Sequence, residues 1–414
     1  MCVPDIQGGL SYLIDNTVLT FLDNLKRAFP FLLLAVYGIF MCGYFIFQDY
    51  SDHYRFFAKF VFIPGLFVFV GGIRNTWRHP VFQAMAAYMF YLLLSGLWSD
   101  PLDWYRLGQK TTISIYLLSF IATTHFLVHW NRGLYERMLQ LSVLIAAAAA
   151  LTNVVLFYRE HAFPGTRLDG IGSLTNVNEF SNMYGVFALL GVGFARRTQS
   201  LPYRVLLSLA IVVFVSFAWF GQSRTAFVSI IIALLASVIL MPKERRALYT
   251  VILAGLVAVL ALIFHDSAEQ AFVRGAGLRP QIWAGVWEAA KSTPIVGHGF
   301  ISEVSVAGGK RVFETVHNAY LQVFWQGGVI GLGLFLLMLA ATFHHAWLWG
   351  RQRGEFTIFC MFLFVASTMM TGVDTLIERP RDQWMLFWFP LALLLAYQST
   401  TPRSDSIEKS EIQN

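Results

Sequence analysis

Charge is scarce in this chain. Only 13% of its 414 residues are Asp, Glu, Lys or Arg, about half the share usual in soluble domains, so there is too little polar surface to solvate a large globule. Cysteine is nearly absent. Cys2, Cys42 and Cys360 are odd in number and the last two lie in apolar runs, so no disulfide framework is indicated and the redox compartment is left open. No Pro-, Gly- or Ser-rich linker divides the chain and no fixed-period repeat recurs, which makes 1–414 one membrane-embedded domain. The N-terminus lacks a basic, apolar, small-residue cleavage pattern, and its first long apolar run, from about Ala28, is long enough to be retained as a span. Walker, dinucleotide-binding and nucleophile-elbow patterns are missing, as is any Asp-x-Asp pair that could bridge a sugar diphosphate through a metal. These absences exclude a nucleotide-fold catalytic domain, a DNA-binding module and a disordered tail of any size.

Apolar residues make up 57% of the chain and aromatics 16%. A bilayer span needs about 20 apolar residues as a helix, and twelve runs qualify as candidates: 28–47, 56–73, 80–98, 111–129, 138–158, 180–195, 203–220, 224–241, 247–264, 319–343, 356–373 and 384–397. The expected fold is an all-α polytopic membrane protein of about twelve transmembrane helices. A large loop, 265–318, separates the ninth and tenth and is expected to carry short amphipathic helices. The stretch Leu10 to Leu22 is interrupted by Asp15 and Asn16, which favours an interfacial helix, and 398–414 reads as a solvated cytoplasmic tail. With both termini inside, 16 Lys and Arg fall on the cytoplasmic side against 9 on the outer side once the long segment 265–318 is set apart, as the positive-inside bias requires. The net charge of +6 is therefore topological and implies no nucleic-acid partner.

The long connections, 159–179 and 265–318, and a shorter one at 374–383 all fall on the outer face, where long loops in compact folds are usually functional. In GLRPQIWAGVWEAAK, Gly277 to Lys291, Pro280 suits a helix start. Ile282, Trp283, Val286, Trp287 and Ala290 then recur at helical spacing, giving an amphipathic helix on the outer interface with Trp283 and Trp287 as headgroup-level anchors. Arg279 stands at its N-terminus, where free N–H groups and the dipole favour an anion, be it substrate or lipid phosphate. The turn GQSRTAF, Gly221 to Phe227, puts Arg224 at the mouth of the eighth helix, to bind a ligand or to snorkel. His317 precedes Asn318, a good N-cap, and the positive helix end there disfavours an imidazolium, which suits a histidine that accepts a proton as well as one that merely marks a boundary. Arg167, between Gly165 and Gly170, and the run Asn176 to Phe180 add a further cation and amides on the same side.

Other patterns are weaker. His125 and His129 have metal-ligand spacing on one helical face, but two ligands without a carboxylate do not make a site, and no metal or cofactor is expected. His344 and His345 read as headgroup contacts on the cytoplasmic side. Ala146 to Ala150 reads as a close helix-packing stretch.

Taken together, Asn176 to Phe180 before a span, SRTA at Ser223 to Ala226, the loop arginine followed by PIVGHGF at Pro294 to Phe300, and HNAYLQ at His317 to Gln322 ahead of a glycine-broken helix resemble the bacterial O-antigen ligase and polymerase superfamily. The motifs cover roughly 165–345, and span number and loop position extend the likeness along the chain. His298 departs from the pattern, since a less polar residue often separates the two glycines.

The resemblance implies an inner-membrane enzyme that transfers a glycan from undecaprenyl pyrophosphate on the periplasmic face, to the lipid A core in a ligase or to another lipid-linked repeat in a polymerase. On this chain it implies Arg224 and Arg279 on the pyrophosphate and His317 as the base. Arg167, Asn178, Asn318, Tyr320, Arg311 and Asp374 are further candidate substrate contacts. One dominant loop, ending in a histidine, favours the ligase over the polymerase. A transporter or flippase of lipid-linked glycan is the reading from another class, and it fits less well because the mid-span regions are nearly free of charge.

Overall fold

The computed structural model describes residues 6–163, 166–174, 176–241, 278–308 and 311–399. The ninth expected span, the first part of the long loop and nearly all of the expected C-terminal tail lie outside the described residues, as does the side chain of Arg311. Helices dominate. They are α1 (Ile6–Ile46), α2 (Tyr50–Phe56), which runs through a π-helical stretch (Phe57–Phe62) into α3 (Ile63–Thr76), α4 (Pro80–Ser95), α5 (Trp104–Glu160), α6 (Val177–Arg197), α7 (Leu201–Phe220), α8 (Arg224–Ile239), α9 (Arg279–Ala290), α10 (Ala319–Arg353) and α11 (Thr357–Met369). A second π-helical stretch (Trp384–Trp388) leads into α12 (Phe389–Ser399). Among the described residues six helical segments are long and apolar enough to cross a membrane: 26–46, 50–76, 80–98, 104–160, 201–220 and 319–353. Three shorter apolar helices, at 224–239, 357–369 and 384–399, join them. The stretch expected as a separate interfacial helix at 10–22 is continuous with α1.

Two apolar runs read as separate spans are limbs of α5. Asn131 leaves the helical conformation (φ −158°, ψ 91°), and its side-chain oxygen accepts from the Leu134 N–H at 3.0 Å, capping the second limb as Asn does at helix starts. α10 breaks at Gly328 (φ 60°, ψ −157°), a conformation open essentially to glycine alone. The break leaves backbone groups without helical partners, and the PIVGHGF segment satisfies them. His298 and Gly299 donate to the carbonyls of Trp325 and Gln326, and Val329 and Ile330 donate to those of Pro294 and Ile295. A Cβ on Gly328 would stand 2.3 Å from the Ile295 oxygen. His298 lies flat on Trp325 (3.7 Å, 7°) between Thr293 and Ser292, so the unusual residue of this turn belongs to the clasp.

α6 packs on α7, α4 on α10, α3 on α5 and α8 on α11 around an aromatic core in which Trp384, Trp388, Tyr37, Phe120 and Tyr184 are buried. Polar contacts gather at the two ends of the bundle. At one end Arg132 and Arg197 share Glu136, Arg197 also reaches Glu355, and Ser399 bonds both His125 and His129, which gives that histidine pair a packing partner. At the other end lie the segments 98–106, 166–179, 221–225, 300–318 and 371–383. They are tied by Asp100 to Ser302, Arg106 to Glu303, Thr225 to Thr371 (2.7 Å) and Lys110 to Glu378 (2.6 Å).

Candidate active site

The second end holds the candidate residues. Arg224 is the first residue of α8 and follows a tight turn in which Gln222 has a left-handed φ of 49°. Arg167 braces that turn: its Nε donates to the Gly221 carbonyl at 2.9 Å and its Nη2 to Asn178 Oδ1 at 3.3 Å. Asn178 lies in the first turn of α6, which Asn176 caps by accepting from the Asn178 N–H at 2.9 Å. The expected run before the sixth span is thus a capped helix start turned toward the arginines.

Arg279 opens α9, with Pro280 in its first turn. The expected stripe is real: Ile282, Val286 and Ala290 are buried against Val304, Val306, Val316, Phe324 and Trp325. The stripe therefore faces protein. Trp283, expected as a headgroup anchor, donates its indole N–H to the Val316 carbonyl at 2.9 Å and so fixes the strand of chain that delivers His317. Trp287 is half-exposed and stacks on Phe324 at 5.3 Å. Between α9 and α10 lies an apolar groove of about 460 Å³ lined by Trp283, Trp287, Asn318, Tyr320, Leu321 and Phe324, with smaller neighbours. A short antiparallel hairpin, β1 (Val306–Gly308) and β2 (Arg311–Phe313), sits where only helices were expected.

His317 takes a left-handed φ of 52°, which costs a non-glycine residue about 1–2 kcal/mol and persists only where neighbours impose it. Asp374 is the neighbour. Its Oδ1 accepts the His317 backbone N–H in a short hydrogen bond, and its Oδ2 lies 3.4 Å from the ring Nδ1. Thr315 Oγ1 stands 3.2 Å from Nε2. Asn318 caps α10 as expected, accepting from the Leu321 N–H at 3.0 Å. The Tyr320 hydroxyl donates to the Ala366 carbonyl at 3.1 Å, tying α10 to α11.

Burial first, and then the like charge of Arg224, lowers the Arg279 pKa from its ordinary value, while Asp374 opposes both. The two arginines and the aspartate thus share one electrostatic neighbourhood, drawn from elements far apart in sequence. Two guanidinium groups that feel each other's charge suit a doubly charged anion, because the ligand relieves each of repulsion from the other.

The loop that presents Asp374 is held from below. Trp388 and Trp384 donate indole N–H groups to the Leu376 and Glu378 carbonyls, both at 2.8 Å, and the Tyr44 hydroxyl donates to the Arg381 carbonyl at 3.1 Å. Arg381 pairs with Glu179, and Asn182 donates to Asp382 at 2.9 Å. Burial, and then the nearby Glu179, pushes the Asp382 pKa up to about 7. Sequence reasoning missed this acidic pair, because Glu179 and Asp382 stand far apart in the chain and neither has a local motif. Among the described residues no group of three or more His, Cys, Asp or Glu is arranged to hold a metal.

Fold and site describe a membrane protein that brings two arginines and a paired histidine to one end of its helix bundle. Residues 209–336 match the O-antigen ligase family model, and that segment contains Arg224, Arg279 and His317. An O-antigen ligase of Pseudomonas aeruginosa is 29% identical over 362 residues, covering 86% of this chain and 88% of that protein. Over most of its length the chain is thus similar to an O-antigen ligase, and the family match covers the segment that carries the candidate residues.

Proposed function

We propose that this enzyme transfers O-antigen polysaccharide from undecaprenyl pyrophosphate to the lipid A core on the periplasmic face of the bacterial inner membrane, without a metal and with inversion at the anomeric carbon. The observation that carries the reading is the meeting of Arg224, Arg279 and Asp374 in one neighbourhood, with His317 paired to that same aspartate. Arg224 and Arg279 hold the pyrophosphate and neutralise the charge that develops on the departing oxygen, which preorganised guanidinium groups do well. Asp374 faces Nδ1, which favours the tautomer with its proton there and leaves the Nε2 lone pair to take the proton of the acceptor hydroxyl. The acceptor oxygen attacks the anomeric carbon as the carbon–phosphate oxygen bond opens, and undecaprenyl pyrophosphate departs. Thr315 Oγ1, 3.2 Å from Nε2, marks where that hydroxyl would stand.

The apolar groove between α9 and α10 begins beside Asn318 and suits the first isoprene units of the donor. Arg167 and Asn178 brace the Arg224 turn, and Arg311, Asn318 and Tyr320 are further candidate contacts. In this reading the chain crosses the membrane twelve times with both termini in the cytoplasm, 265–318 is periplasmic and 398–414 is a cytoplasmic tail. The gathering of Arg132 and Arg197 at the end of the bundle away from His317 supports that orientation under the positive-inside rule.

The test uses purified protein, lipid-linked oligosaccharide and lipid A core. His317→Ala abolishes transfer while the protein still inserts and purifies normally, and EDTA leaves wild-type transfer intact. Near-normal transfer by the histidine variant removes the base from the mechanism; loss in EDTA restored by divalent ions removes the metal-free reading.

A further inference from the structure

A second cavity, of about 520 Å³, opens at the same end of the bundle and shares no lining residue with the α9–α10 groove. Trp104, Tyr105, Gln109 and Thr112 form one side of it, on the first turns of α5. Tyr54 of α2 and Arg379 of the loop 374–383 form the other. Trp104 and Tyr105 are 68% and 75% exposed. The Arg379 guanidinium lies 5.2 Å over the Tyr54 ring. Its acidic neighbour, Glu378, is engaged by Lys110 at 2.6 Å, and Glu179 is engaged by Arg381. Among the described residues no carboxylate lies within ion-pair distance of Arg379.

We infer that this cleft binds a sugar of the acceptor that bears an acidic group, a carboxylate or a phosphate; the inference rests on the proposed ligase reaction and deepens it. Two exposed aromatic faces offer apolar platforms with polar rims, suited to the C–H face of a pyranose ring. Gln109 and Thr112 supply a donor–acceptor amide and a hydroxyl for sugar hydroxyls. Arg379, with its guanidinium over Tyr54 and no carboxylate partner among the described residues, suits bidentate capture of a carboxylate or phosphate.

Connectivity assigns the occupant to the acceptor and not to the donor. Asn318, which lines the groove suited to the lipid tail, adjoins His317, and Arg379, which lines the cleft, shares a loop with Asp374, the partner of His317. Five residues separate Asp374 from Arg379, so the Arg379 Cα lies at most about 17 Å from that of the aspartate paired with the proposed base. A chain whose hydroxyl must reach His317 can therefore hold its more distant sugars here.

The experiment compares wild type with Arg379→Gln, Trp104→Ala and Gly108→Leu in the purified transfer assay, varying acceptor and donor separately. A Cβ on Gly108 would meet nothing within 4 Å, and leucine is the better helix former, so that variant fills the cleft without straining the fold. Each variant should raise the acceptor KM by about tenfold or more, the scale of a lost charge-assisted or stacking contact, with kcat and donor KM within about twofold of wild type. Delipidated core oligosaccharide should quench the fluorescence of wild type and not of Trp104→Phe. Unchanged acceptor KM in all three variants overturns the inference, as does an effect on donor KM instead, or an effect that appears only in anionic-lipid nanodiscs and marks a headgroup site. If wild type itself transfers nothing to lipid A core, it is the ligase reading that fails.

Discussion

Asp374→Asn isolates the electrostatic part of the site with almost no change of shape. The Asp374 carboxylate lies 3.4 Å from His317 Nδ1, with 30% and 42% of the two side chains exposed. At that distance a carboxylate and an imidazolium attract by about 5 kcal/mol at an effective dielectric near 20 and by about 1 kcal/mol in water. Both groups are substantially solvated, so a value of about 2–3 kcal/mol is appropriate. The imidazolium forms only as the acceptor hydroxyl is deprotonated, so this energy is lost from the transition state and not from substrate binding. The expected result is a fall in kcat of about 30- to 150-fold, with both KM values little changed. A second effect acts in the same direction: the asparagine amide would present N–H toward Nδ1 and favour the tautomer with its proton on Nε2. Asn can still accept the His317 backbone N–H, so the left-handed turn survives and the protein should purify as wild type. The assay is steady-state transfer with saturating donor and acceptor. A kcat within about threefold of wild type would refute the pairing as a functional one.

Three other outcomes follow from the same geometry. Arg224→Ala and Arg279→Ala should each lower kcat/KM for donor by about 2–4 kcal/mol in free-energy terms, as expected for removing a preorganised charge from a developing oxyanion; donor kinetics at fixed acceptor measure this, and a normal value in either variant removes that arginine from the pyrophosphate. Gly328→Ala places a Cβ 2.3 Å from the Ile295 oxygen at a φ of 60°, so it should destabilise the protein by at least about 2–3 kcal/mol, read as a lower unfolding temperature in detergent; an unchanged temperature contradicts the clasp. Asp382 titrates near pH 7 when folded and about 3.9 when unfolded. Between those values the folded protein keeps a proton that the unfolded chain has released, so stability falls as pH rises from about 4 to 7 and levels off above. Asp382→Asn should flatten that slope in thermal unfolding from pH 5 to 8; an equal slope in both proteins would show that the group does not titrate there.

The helices were legible because each needs only a local apolar run. The starts of α6, α8 and α10 were legible too, since Asn176, Ser223 and Asn318 sit where caps and turns belong and the arginines or histidine follow at once. What sequence could not supply is pairing. His317 was visible as a residue at a helix start, but its aspartate lies 57 residues away in a loop held by two indoles of the last helical segment. Trp283 has the spacing of an interfacial anchor, and periodicity alone cannot tell a stripe that faces lipid from one that faces protein. The Gly-x-Gly turn at His298 is visible in sequence but its role is not, because its partner is a break in α10 that shows in sequence only as a glycine pair. The hairpin at 306–313 is too short for alternation to register.

The most direct test of the central claim gives the purified enzyme one lipid-linked oligosaccharide donor and two separate acceptors, lipid A core and a second lipid-linked repeat. The expected product is glycan joined to lipid A core, with the anomeric configuration inverted and product lost in His317→Ala. Elongation of the lipid-linked repeat with no transfer to lipid A core, or retained anomeric configuration, would contradict it.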